Sequence, residues 1–263
     1  MSNYMEAFDD LALVYDQAIN WTQRLNHELP FLRVLLENQP QARILDLACG
    51  SGRHAIALAT QGYEVTGLDA SQSMIDTAIH LAQEEKVQVQ FLVGDMQDAK
   101  TLLEAPFDLV MCLGNSLALL PHHKTLNQTL KGVRSLLGQT GTFVAQVLNF
   151  QEIYQTGFRF FPLKSGTTNT GEEVVFARFF EPITDRTTAT LVFTGFIKRK
   201  STWDVKVNTQ TVLQLTHALL DQSLQDAGFK DVQYYANYEG APFSASESRN
   251  LIAVARVALI TKK

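Results

Sequence analysis

Residues 43–69 read RILDLACGSGRHAIALATQGYEVTGLD. An apolar strand carrying Asp46 runs into a turn with Gly50 and Gly52, an amphipathic helix follows, and a second apolar strand ends at Asp69. This order predicts a nucleotide-cofactor site. Glycines without a Cβ let the backbone turn sharply and let a ligand approach the peptide groups where the chain enters the helix. Asp69 stands 17 residues after Gly52, at the end of the next strand, where a carboxylate accepts hydrogen bonds from both ribose hydroxyls.

The stretch from Gly50 to Ala55 also satisfies G-x-G-x-x-A, the dinucleotide pattern, so a nicotinamide cofactor is one reading. Further features favour S-adenosylmethionine (SAM). Asp46 lies just upstream of the turn, where it repels a pyrophosphate but tolerates a sulfonium ligand with an ammonium group. Phe91-Leu92-Val93-Gly94-Asp95-Met96 is a third strand ending in an acid, with Asp95 suited to an adenine amino group and the Met96 amide to a ring nitrogen. Phe107 to Asn115 is a fourth apolar strand ending in small and polar residues. Four strand ends converge on one ligand.

The runs DLACGSG, GLDAS, GDM and FDLVMCLGNSLALL resemble the successive motifs of class I SAM-dependent methyltransferases. Cys112-Leu113-Gly114-Asn115-Ser116 followed by Leu120-Pro121, with Tyr15 and Arg24 before the first strand, is similar to the glycine N-methyltransferase group. The resemblance covers about residues 8 to 150 and implies an α/β, Rossmann-like fold: a mostly parallel seven-stranded sheet with helices on both faces and a small inserted antiparallel β lid. It implies SAM contacts at Tyr15, Arg24, Ala48, Gly50, Gly52, Asp69, Ala70, Met74, Asp95, Met96 and Leu113, with Arg24 clamping the methionyl carboxylate. Where that group has Arg-Asn-Tyr after the fifth strand, this chain has Leu148-Asn149-Phe150. A leucine cannot neutralise a glycine carboxylate, so the expected acceptor has an apolar or cationic body.

Composition agrees. With 263 residues, of which 46% are hydrophobic, the chain is long enough for a full α/β core. The net charge of −5 argues against a nucleic-acid groove. No window is apolar enough to span a bilayer, and the acidic start MSNYMEAFDD is not a signal sequence. These readings predict a cytoplasmic protein with a small-molecule substrate and neither nucleic acid nor membrane as partner; a homo-oligomer stays open. Cys49 and Cys112, the 2 cysteines, have no metal-ligand spacing and are read as packing residues, so no metal is expected.

Strand and helix signals alternate, favouring a parallel sheet. Strands are expected near 43–48, 63–68, 88–94, 107–113 and 142–148, and helices near 25–37, 52–61, 71–86 and 122–137. Ser71 is a candidate N-cap and Gly138 a candidate helix stop. A helix near 211–227, ended by Gly228, leads to an antiparallel hairpin of strands near 230–238 and 250–259. Residues 1–149 and 211–263 then form the SAM-binding domain, and 150–210 an inserted substrate lid. Nine of the 16 phenylalanines fall in residues 150–203. They pack a small core, and some of their ring faces suit a cationic acceptor.

Methyl transfer needs in-line geometry and exclusion of water more than acid–base groups. Tyr15, Asn115 and His122 are the catalytic candidates. Asn115 and Ser116 end the fourth strand where donor and acceptor meet, and His122, or its neighbour His123, is a base if the acceptor is a hydroxyl. Arg159 and Arg178 on the insertion are candidates for an acidic substrate group, while His54 is read as a surface helix residue. The expected function is methyl transfer from SAM to a small molecule, nitrogen preferred over oxygen. The alternatives are a nicotinamide-dependent oxidoreductase and a non-catalytic SAM-binding regulatory protein.

Overall fold

The structure is a computed structural model and describes residues 13, 15, 16, 18–37, 39–168 and 171–257. Helix α1 (Trp21–Leu35) is capped by Asn20, whose side chain accepts from the Gln23 amide. The chain then alternates β1 (Arg43–Leu47), α2 (Arg53–Ala59), β2 (Glu64–Asp69), α3 (Gln72–Glu84), β3 (Gln90–Val93), β4 (Phe107–Cys112), α4 (His123–Leu136) and β5 (Leu137–Leu148). A short helix α5 (Phe150–Thr156) precedes β6 (Lys164–Thr167), β7 (Glu173–Phe180), β8 (Thr188–Arg199) and β9 (Thr202–Leu213). Helix α6 (His217–Asp226), β10 (Asp231–Tyr235) and β11 (Asn250–Arg256) close the described chain.

Seven strands form one sheet in the order β10-β11-β5-β4-β1-β2-β3, and β6-β7-β8-β9 form a second. In the first sheet β11 runs antiparallel to β5 and β10, and the remaining pairs are parallel. Its central strands are continuous apolar runs because both faces are covered. Leu32 of α1 and Leu58 of α2 pack with Ile44 and Leu109 on one face, while Leu126 and Leu130 of α4 and Leu220 and Leu224 of α6 pack with Leu45 and Val110 on the other.

Two sequence expectations change. Leu137 takes an extended conformation (φ −82, ψ 141), and the chain passes directly from α4 into β5. Gly138 therefore lies in a strand instead of stopping the helix in the left-handed region, because Leu137 is already paired with Phe107 of β4. The helix expected from 211 starts at His217, since Thr211–Leu213 pair with Thr188–Thr190 of β8 and Thr216 supplies the N-cap. Ser71 caps α3 as expected, and Gly228 (φ 96) follows the end of α6. Residues 258 and 259 of the expected last strand lie outside the described residues. Among those residues no helix is long and apolar enough to cross a membrane.

In the second sheet Asp185 ends the β7–β8 connection by accepting from the Thr187 and Thr188 amides at 2.7 and 3.1 Å. Antiparallel pairing puts Val174, Phe176, Arg178 and Phe180 on one face of β7. Phe180 packs at a tilt of 58° against Phe150 of the main core, with centroids 5.5 Å apart, and Phe176 packs on Tyr15 at 5.5 Å. That face is turned to the first sheet.

Candidate active site

Strand order reverses around β1, whose neighbours are β2 on one side and β4 on the other. In an open α/β sheet this opens a crevice at the strands' carboxyl ends. The turn after β1 is built from left-handed backbone at Ala48 (φ 57), Gly50 (φ 55) and Gly52 (φ 71). The two glycines serve different ends. A Cβ on Gly50 would meet nothing within 4 Å and would point into open space, whereas one on Gly52 would lie 2.6 Å from the Phe91 ring and 2.9 Å from the Ala78 methyl. Gly50 borders the crevice; Gly52 lets α2 pack against β3 and α3.

Asp69 ends β2 and locks the turn from across the sheet. Its carboxylate accepts from the Gly50 amide at 2.8 Å and the Ser71 amide at 2.9 Å. Asp95 holds the Gln97 amide and side chain at 2.9 and 3.0 Å. These residues line a cavity of about 560 Å³ together with Ala48, Ala70, Ser71, Met74, Gly94, Met96, Ser116, Leu119 and Leu120. Its last wall is Asn208, Thr209 and Gln210 of β9. Their own strand carries no motif, so sequence reasoning missed them.

Beneath the turn lies a charged layer. Asp46 is 3% exposed and its Oδ2 has no hydrogen-bond partner. Burial, reinforced by the Asp69 charge, pushes its pKa up to about 8. Glu28 of α1, also missed from the sequence, accepts from Arg24 Nε at 2.9 Å and pairs with His54 Nε2 at 2.6 Å. Burial works to raise the Glu28 pKa, but His54 and Arg24 together hold it below its ordinary value. His54 is thus buried, against the expectation of a surface residue, because α1 covers it. Before α1, Asp16 accepts from the Ser51 hydroxyl at 2.8 Å, which ties this segment to the glycine turn.

The remaining candidates are dispersed. Arg24 reaches the end of β4: one of its terminal nitrogens lies 3.6 Å from where a Gly114 side chain would begin. Leu113 is buried. Asn115 (φ 69) spends its Oδ1 on the Leu148 amide at 2.9 Å, joining the ends of β4 and β5. His122 is exposed at the start of α4. Tyr15 packs edge-on to Phe176 and Phe193 of the second sheet, at 5.5 and 5.1 Å. Cys112 is buried and Cys49 partly so, and burial pushes both thiol pKa values up.

Residues 44–141 match the family model of a methyltransferase domain. That segment is a methyltransferase domain. Glycine N-methyltransferases are among its relatives. A glycine/sarcosine N-methyltransferase from Aphanothece halophytica is 29% identical over 158 residues, 60% of this chain and 58% of the relative. This chain thus spans a little over half the length of such curated relatives. In fold it is similar to a SAM-dependent methyltransferase from Clostridium acetobutylicum, with a TM-score of 0.74 at 16% identity over 88% of this chain and 91% of that one. It is also similar to SAM-bound CalS10, an amino pentose methyltransferase from Micromonospora echinaspora, with a TM-score of 0.67 at 19% identity over 91% and 92%.

SAM is the cofactor of such a domain, and the described residues fit it. A buried acid with an orphaned oxygen suits a cationic ligand, Gly50 borders open space, and Asp69 and Asp95 stand at successive strand ends in one cavity.

Proposed function

We propose that this chain transfers a methyl group from SAM to a nitrogen of a small-molecule acceptor. The observation that carries this reading is the cavity itself, with strand-end acids on one side and Asn208–Gln210 of the inserted sheet across from them. One wall takes a cofactor and the facing wall is left for an acceptor. When bound, SAM supplies an electrophilic methyl on a sulfonium. Asp69 holds a ribose diol, Asp95 an adenine amino group, and Gly50 leaves the space that the methionyl chain occupies.

The preference for nitrogen rests on the charges along that wall. Among the described lining residues the ionisable side chains are Asp69 and Asp95, both on the adenosyl side. An amine that arrives neutral offers its lone pair without a base, whereas an alcohol needs one. Asn115 fixes the junction of β4 and β5 near the reacting centre. Leu119 and Leu120 keep that end apolar, so water is excluded during transfer. The relatives' names, glycine/sarcosine N-methyltransferase and amino pentose methyltransferase, point the same way.

The test is formation of S-adenosylhomocysteine from SAM with a panel of amines and matched alcohols. Turnover confined to alcohols would overturn the nitrogen assignment. Binding of SAM with no turnover on any acceptor would favour the regulatory alternative.

A further inference from the structure

The inserted sheet shows one face to the cofactor domain, and strand register dictates what that face presents. Arg178 lies between Phe176 and Phe180, both buried on this side of β7, so it points the same way. Its antiparallel partner on β8 is Phe193, and the partner of Phe193 on β9 is Asn208. Asn208 lines the cavity. With neighbouring strands about 4.8 Å apart, the Arg178 backbone lies about 10 Å from that wall, within the length of one small acceptor.

Among the described residues Arg178 has no counter-ion. Its guanidinium sits 4.8 Å from the Tyr15 ring centroid and 4.7 Å from that of Phe161, and Lys164 lies 5.0 Å from the same Tyr15 ring. Neither cation has a carboxylate partner among the described residues. Cations elsewhere on this sheet do: Lys198 pairs with Glu173 at 3.2 Å and Arg199 with Asp204 at 3.1 Å. Two positive charges sharing one ring repel each other, and the aromatic faces offset this only in part. An anion within reach of both would neutralise that repulsion.

Some rings of the insertion are closed to a cationic acceptor. Arg159 covers Phe160, Arg186 covers Tyr154 and Arg249 covers Phe158, at 5.1, 4.1 and 3.6 Å. These three faces are taken by the chain's own cations.

We propose that Arg178 and Lys164 form an oxyanion subsite that takes a carboxylate or phosphate on the acceptor and so presents the acceptor's nitrogen to the donor methyl. This rests on the methyltransferase reading above. It assigns to β6 and β7 a charge that Leu148 does not supply. Arg178 would be the main ligand, because a guanidinium binds either oxyanion through two parallel hydrogen bonds.

The test uses the full chain loaded with S-adenosylhomocysteine and titrated calorimetrically with sodium acetate and, separately, inorganic phosphate. Arg178→Met is expected to weaken anion binding on the order of 10- to 100-fold, with SAM affinity within about twofold of wild type. Acetate alone would identify a carboxylate acceptor, phosphate alone a phosphorylated one, and both would leave the shared chemistry standing. If Arg178→Met fails to fold, Lys164→Met carries the same test at the other cation.

In turnover, Arg178→Met should raise KM for glycine or an amino-sugar phosphate but not for glycinamide or the unphosphorylated amino sugar. Anion binding absent in wild type, or equal in the variants, would overturn the subsite. Arg178-dependent anion binding without methyl transfer to any acceptor would instead overturn the methyltransferase reading and leave the subsite intact.

Discussion

The two walls of the cavity are built in different ways. On the proposed cofactor wall the residues follow strand ends in short stretches, Ala48 and Gly50, Asp69–Ser71 and Gly94–Gln97. On the proposed acceptor wall Asn208, Thr209 and Gln210 line the cavity from one strand, while Arg178 lies on the same sheet face as Asn208 two strands away. The first kind of site follows from chain direction, because parallel strands end on one side of the sheet. The second follows from register, because a slip of one residue would turn Arg178 and Asn208 to the opposite face.

The sharpest way to break this distinction lies in the two glycines of the turn. Gly50→Val should abolish detectable SAM binding in calorimetry, since the new side chain occupies the crevice, and should cost only the left-handed strain that both glycine positions share, about 1–3 kcal/mol. Gly52→Val should instead cost about 2–4 kcal/mol of stability in urea unfolding, because its Cβ runs into Phe91 at a left-handed position. Equal loss of stability in both would refute the division between ligand space and packing.

Next in size is Asp69→Ala. Losing charge-assisted hydrogen bonds should weaken SAM binding by about 30-fold, and circular dichroism would check that the turn after β1 survives without its two amide bonds. An affinity unchanged from wild type would remove Asp69 from the site.

Asp46 gives the cofactor wall a pH signature. Its folded pKa, about 8, lies above the ordinary 3.8, so the folded chain binds this proton more tightly than the unfolded chain. The stability this contributes is complete below about pH 4 and is lost as pH rises through about 8, at up to about 1.4 kcal/mol per pH unit. Asp46→Asn should flatten the decline in ligand-free stability across that window. A slope identical to wild type would place the titrating group elsewhere.

The smallest effect tests register. Asn208→Ala should raise acceptor KM by about two- to tenfold, whereas Val207→Ala, one residue earlier and 57% exposed, should change nothing. Similar values for both would mean that the Asn208 side chain does not meet the acceptor.

Much of the cofactor wall was legible in the sequence. Apolar runs long enough for strands, each followed at once by Gly50, Asp69 or Asp95, require only that the strands be parallel and adjacent. Local signals also predicted Ser71 as a cap and Gly228 after α6. What sequence missed depended on contacts between distant segments. Glu28 meets Arg24 one turn away on its own helix, but it meets His54 only because α1 lies against α2. Gly138 is a strand residue only because Leu137 pairs with Phe107. Thr211–Leu213 are strand because β8 offers its edge.

The sequence by itself therefore determined the class of sheet, the turn after β1 and the acids that follow the strands, since these depend on spacing along one chain segment. Only the tertiary structure decided which side chains of the inserted sheet face the cavity and which cations lack a partner. Side-chain direction in a strand alternates every residue, so its meaning waits on the register of the pairing, and a charge is known to be unpaired only when its neighbours in space are known.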